Sequence, residues 1–221
     1  MTKRPWFLIA PVLLLLPLSA GLVGGWAVVT VEQLPEYAVA GEPVTLRFMV
    51  RQHGVDPLKN LRPTIDARAG GNPAASVAAR PGKTAGQYVA TFTPPEPGDW
   101  TLTIHSGFGN SKLTLLPIPA IRQGAPAPAA LADSERGKRL FVAKGCVGCH
   151  LRSEAGLAIG EKIGPELTGK RYQAEFLRRF LADPAANPTR TGTFRMPNLL
   201  LQPAEIGALV AFINSERTAS R

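Results

Sequence analysis

Cysteine and histidine are scarce in this chain of 221 residues, with two of the first and three of the second. Two thiols exclude a disulfide-dense secreted scaffold and a four-cysteine zinc module. Acidic residues are also few, 16 against 25 Lys and Arg, for a formal net charge of +9 and a pI near 10.1. That imbalance suits an acidic partner, an anionic membrane surface or nucleic acid, and does not choose among them. Apolar residues are not scarce. At 45% hydrophobic with a mean hydropathy of +0.03, the chain is neither disordered nor a polytopic membrane protein. At about 100–200 residues per domain, its length allows one large domain or two small ones.

The N-terminus carries Lys3 and Arg4, and then no charge until Glu32. A basic start before an apolar core reads as an export signal at residues 1–21, either a cleaved signal peptide or a retained membrane anchor. Trp26 to Val31, β-branched and alternating, reads as the first strand of the next domain. The helix then has only Trp6 to Leu22, roughly 25 Å at about 1.5 Å per residue, which is short of the ~30 Å hydrocarbon core. Ser19-Ala20-Gly21 supplies the small residues of a cleavage site. Under either reading the body of the protein is periplasmic, or at least extracytoplasmic.

Residues 26–118 alternate between period-2 runs and turn residues. Val44, Leu46, Phe48 and Val50 form one such run; Tyr88, Ala90 and Phe92 a second; Trp100, Leu102 and Ile104 a third. About seven short strands at this spacing predict an immunoglobulin-like β-sandwich. Residues 119–131, rich in Pro and Ala, read as a semi-stiff extended linker. From there the period is helical. Asp133 is placed to cap a helix through about Lys144, and Tyr172 to Ala182 forms a second helix that Pro184 ends. A third opens at Gln202-Pro203-Ala204-Glu205, with Ile206, Leu209, Val210 and Ile213 on one face. The fold class is therefore all-β plus all-α.

Both cysteines fall in Cys146-Val-Gly-Cys149-His150. Two thiols three residues apart match the two vinyl groups of a haem, and the adjacent histidine then lies under the iron. A zinc site would need two more ligands, and the remaining histidines, His53 and His105, lie in the other domain. A dithiol redox pair usually sits in a βαβ setting, which this segment lacks.

With these residues in view, 132–217 resembles the class I c-type cytochromes. The likeness runs through Gly137 and Phe141, the Cys146–His150 motif, Gly164 to Gly169, Arg195-Met196-Pro197 and the closing helix. It implies one covalent haem c, with His150 and Met196 as iron ligands and the Pro165 carbonyl orienting His150. The residues agree on Met196, the only methionine of this half, set in a Pro-rich loop rather than at helical spacing. Phe212 is expected to pack against the first helix near Gly137. Iron with both positions filled has none open for a substrate, so the resemblance implies an electron carrier rather than an enzyme. No small-molecule substrate is expected.

Residues 132–221 hold 14 Lys and Arg against 9 Asp and Glu. Lys170, Arg171, Arg178, Arg179, Arg190 and Arg195 cluster in sequence between the haem motif and the Met loop. They are either a solvated face or a docking face for an acidic redox partner. Nothing accompanies the charge to indicate nucleic acid. Gly41-Glu-Pro43, Gly86-Gln-Tyr88 and Pro97-Gly98-Asp99-Trp100 resemble the small immunoglobulin-like domains of FixH-type proteins, implying an interaction module of respiratory-oxidase assembly or copper handling. Met49, His53 and His105 suit copper chemically, but an immunoglobulin strand order places them on opposite sheets. The leading expectation is an exported mono-haem carrier. The alternatives are an electron-entry subunit of a membrane oxidase or reductase, and an assembly or copper-handling factor with a haem domain.

Overall fold

The computed structural model describes residues 25–70, 75–155, 163–186 and 196–216. The expected leader, residues 1–21, lies outside them, as do Arg190 and Arg195. Among the described residues no helix is long and apolar enough to cross a membrane.

The N-terminal part is two β-sheets packed face to face. Its strands are β1 Ala27–Val31, β2 Ala38–Val39, β3 Val44–Gln52, β4 Asp56–Pro57, β5 Thr64–Ala69, β6 Ala75–Ala78, β7 Arg80–Pro81, β8 Gln87–Phe92, β9 Gly98–His105, β10 Lys112–Thr114 and β11 Ile118–Ile121. One sheet runs β1-β3-β8-β7 with β4 on β3, and the other β2-β11-β9-β5-β6 with β10 on β9. Seven of the eleven strands have four or more residues, and the rest are two- and three-residue pairings too short to leave a period in the sequence. The expected runs do face the core: Leu46, Phe48, Val50, Tyr88, Ala90, Phe92, Trp100, Leu102 and Ile104 are all at most 6% exposed.

Strand β1 departs from alternation, because Val28, Val29, Thr30 and Val31 are buried in succession. Val29 and Val31 join the sandwich core, while Val28 and Thr30 point outward under the C-terminal part. A strand covered on both faces reads as a continuous apolar run. Strand β11 likewise takes residues 119–121 from the segment read as linker, since Ile118 and Ala120 alternate inward at 3% and 5% exposure. Residues 122–130 are exposed and irregular.

Among the described residues, the C-terminal part has three α-helices: α1 Asp133–Ala143, α2 Ala174–Ala182 and α3 Pro203–Ile213. Helices α1 and α3 cross at Gly137, where a Cβ would overlap the Ala208 carbonyl. The Phe141 and Phe212 rings meet edge to face beside that crossing, centroids 5.6 Å apart. Asp133 is not the cap of α1. Ala132 is, and Asp133 and Glu135 occupy the first turn, where carboxylates favour the positive end of the helix dipole. Helix α2 begins at Ala174 rather than Tyr172, because the backbone of Tyr172 is engaged elsewhere. Its N–H donates to Asn214 Oδ1 (2.8 Å) and its carbonyl accepts from Asn214 Nδ2 (3.0 Å). Helix α3 carries a reciprocal capping box between Gln202 and Glu205, with Pro203 in its first turn.

The Pro/Ala segment does not hold the two parts apart. Helix α1 docks beside β1. Lys144 Nζ donates to the Glu32 carbonyl (2.8 Å) and pairs with Glu205 (2.7 Å). Thr30 Oγ1 donates to the Lys144 carbonyl (3.4 Å), Arg136 pairs with Glu36 (2.7 Å) and Arg139 Nη1 donates to the Pro117 carbonyl (2.8 Å).

Candidate functional site

Helix α1 ends at Lys144, and Gly145 follows in the left-handed region, φ +76°. A glycine just past a helix C-terminus takes that conformation without a Cβ penalty. It turns the chain into a short 3₁₀ turn, Cys146–Gly148, closed by the His150 N–H donating to the Cys146 carbonyl (2.8 Å). The two thiols are not joined to each other. Burial pushes Cys146 up to about 12, with the neighbouring Cys149 adding to the effect, and burial also raises Cys149.

His150 lies against the loop that begins at Gly164. Its Nδ1 is 2.9 Å from the Pro165 carbonyl oxygen. A carbonyl only accepts, so Nδ1 carries a proton and donates it to Pro165. The Gly164 N–H donates to the Cys149 carbonyl (2.9 Å) and the Leu167 N–H to the Leu151 carbonyl (2.8 Å), laying this loop alongside the motif. A Cβ at Gly164 would overlap the imidazole ring. Met196 is half-buried in the irregular segment before α3, packed on the core with Leu199 and Leu201.

Arg152, which no sequence signal picks out, underlies this arrangement. It is fully buried and donates to the carbonyls of Leu167 (3.1 Å), Phe212 (3.1 Å) and Ser215 (3.0 Å). Its guanidinium lies 5.0 Å from the Phe212 ring centroid and 3.4 Å from Glu154 Oε2. One side chain thus ties the loop after the motif to the end of α3.

Lys144 and Val28 were also missed. Lys144 follows an apolar run with nothing to mark it as buried, whereas the unbroken Val28–Val31 run was a readable sign of a covered outer face. Between β1 and the motif lies a cleft of about 510 Å³, lined by Trp26, Val28, Ser111, Lys112, Val147 and Gly148 among others.

The other candidate ligands are not brought together. His53 follows β3 in one sheet and meets Trp26 edge to face, centroids 5.6 Å apart. His105 closes β9 in the other sheet, its Nε2 3.0 Å from Asp66 Oδ2. Met49 lies on β3. Among the described residues no three His, Cys, Asp or Glu side chains gather to hold a metal ion. Of the basic cluster, Lys170, Arg178 and Arg179 are exposed, and Arg171 pairs with Glu216 (2.9 Å).

Residues 134–216 match the family model described as Cytochrome c. This stretch, well under half of the chain, is a c-type cytochrome segment. The family implies haem c and electron transfer as its chemistry. No curated protein matches the chain. Among solved structures, the Lin-41 filamin domain is similar at 13% identity, over 44% of this chain and 93% of that one, with a TM-score of 0.34. A superoxide reductase (neelaredoxin) from Ignicoccus hospitalis is similar at 18% identity, over 42% and 80%, with a TM-score of 0.30. A conjugative transposon lipoprotein from Bacteroides eggerthii follows at 15% identity, over 40% and 93%, with a TM-score of 0.26. At these scores the likenesses carry no functional argument.

Proposed function

We propose that the chain is an exported mono-haem electron carrier, delivered by residues 1–21, whose haem c is bound by Cys146, Cys149, His150 and Met196. The observation that carries the reading is His150 donating through Nδ1 to the Pro165 carbonyl, the orienting contact that an axial histidine needs. The surroundings fit the group: two unlinked thiols at vinyl spacing, a glycine where a Cβ would overlap the imidazole, and a thioether on a second loop. A haem bound there supplies a one-electron couple. Cys146 and Cys149 tether it, and the Pro165 carbonyl fixes the tautomer and orientation of His150. With Met196 as second ligand no position is open to substrate, so the chemistry is outer-sphere transfer, and the Met/His pair favours the reduced state. The exposed Lys170, Arg178 and Arg179 would favour a partner with an acidic docking face, steered by charge.

A visible spectrum with reductive titration tests this. The haem should remain on the denatured chain of the natural protein, with one equivalent per chain, and be absent from it only when Cys146→Ala and Cys149→Ala are combined. The ferric form should show the weak far-red sulfur-to-iron band, lost in Met196→Ala. A spectrum without that band, unchanged by Met196→Ala, would overturn the closed ligand set.

A further inference from the structure

The β-sandwich touches both loops that carry the proposed ligands. At the motif, a Cβ on Gly145 would lie 2.6 Å from Val28 Cγ1 and 2.6 Å from the Val29 carbonyl oxygen, so β1 approaches as closely as a glycine allows. Gly148, between the two cysteines, also faces Val28 at 3.9 Å. At the other loop, the buried Gly54 faces Pro197, the residue after Met196. A Cβ there would lie 3.2 Å from Pro197 Cγ and 3.5 Å from Val28 Cγ2. Val28 therefore sits between the motif and the turn that meets the Met196 loop.

That turn is firmly held. The His53 N–H donates to the Trp26 carbonyl (3.1 Å), the Gly54 N–H to the Arg51 carbonyl (3.3 Å) and the Val55 N–H to the Gln52 carbonyl (3.0 Å). The Trp26 ring packs on the His53 ring. Lys144, two residues before Cys146 and 3% exposed, locks the register between β1 and the motif through Glu32 and Glu205.

We infer that the sandwich is part of the haem site's architecture: Val28 and Gly54 are positioning residues that hold the Met196 loop at a set distance from the His150 motif. The inference rests on the haem reading above and gives the β-domain a role in it. Among the described residues, 196–202 run as irregular backbone from Met196 to α3. A ligand on such a loop depends on whatever packs behind it, and iron–methionine bonding depends on where the sulfur is held. The reduction potential is thus set partly from a domain that contributes no ligand.

The test uses the full-length holoprotein. Gly54→Val puts a branched side chain at φ +77° against Pro197, and Val28→Ser withdraws apolar contact from both loops. Val55→Ser, in the same turn but 56% exposed, is the control. Both test variants should keep their covalent haem and the circular dichroism of the sandwich. Both should weaken the far-red band and lower the reduction potential, while Val55→Ser leaves both unchanged. If Gly54→Val does not fold, Val28→Ser decides alone. Folded variants with an unaltered band and potential overturn the inference. A natural protein that holds no covalent haem, or has no far-red band, overturns the haem reading itself, so the two failures are told apart.

Discussion

The two halves of the molecule bury polar groups in different currencies. Among the described residues the sandwich buries three hydroxyls, Thr30, Tyr88 and Ser106, and the smaller helical unit buries two cations, Lys144 and Arg152. Strands satisfy their own backbone. Each ladder pairs N–H with C=O along its length, and the backbone that side chains serve lies at strand ends and loops: Ser106 exchanges hydrogen bonds with Phe108, and the Tyr88 hydroxyl accepts from the Leu61 N–H and donates to the Leu58 carbonyl. The helical unit has three short helices joined by loops, and loop carbonyls buried around a site find no ladder. A guanidinium with five donors serves three of them at once. The regular half is held by its backbone and the irregular half by a few buried charges, so each half should fail differently.

The largest effect is expected at Arg152. Arg152→Leu takes the side-chain donor from the Ser215 carbonyl, leaves the Leu167 and Phe212 carbonyls to the N–H groups of Lys170 and Ser215, and breaks the buried pair with Glu154, which should cost the helical unit about 3–5 kcal/mol. Denaturant titration followed by haem absorbance measures it, and Trp100 fluorescence reports the sandwich. A loss below about 1 kcal/mol would break the contrast between the halves. Next comes Lys144, which belongs to both halves. Lys144→Met takes the cation from Glu205, which is 18% exposed and keeps the Gln202 N–H, so the loss should be smaller, about 1–3 kcal/mol. The haem and tryptophan transitions, coincident in the natural protein, should separate; transitions that stay coincident would show that apolar contact alone joins the halves.

The smallest effect is expected within the sandwich. The Asp66 carboxyl is held below its ordinary value of 3.8, chiefly by a hydrogen bond with Ser76 and further by His105. A depressed folded pKa contributes stability above 3.8 and loses it as pH falls through the folded value. Asp66→Asn should therefore flatten the acid side of the sandwich's stability profile and cost under ~1 kcal/mol at neutral pH, the pair being open to solvent. A larger loss would mean that the sandwich too depends on charge.

The sequence carried the parts whose cause is local. Period-2 runs located the core faces of β3, β8 and β9, because each side chain's direction follows from its position in the strand. The capping residues of α3 were legible for the same reason. Capping by Asp133 and an alternating β1 were misread, because both depend on what lies beyond the segment: the start of α1 and the cover on the outer face of its neighbour. The tertiary structure alone decided that the Pro/Ala segment brings the halves together, that Arg152 and Lys144 are buried, and that a turn of the sandwich abuts the residue after Met196. These are contacts between positions as far apart as Gly54 and Pro197. A chain of few cysteines and histidines gathers both thiols and one imidazole into five residues. Where the remaining charges and faces came to rest followed from packing, which no local pattern records.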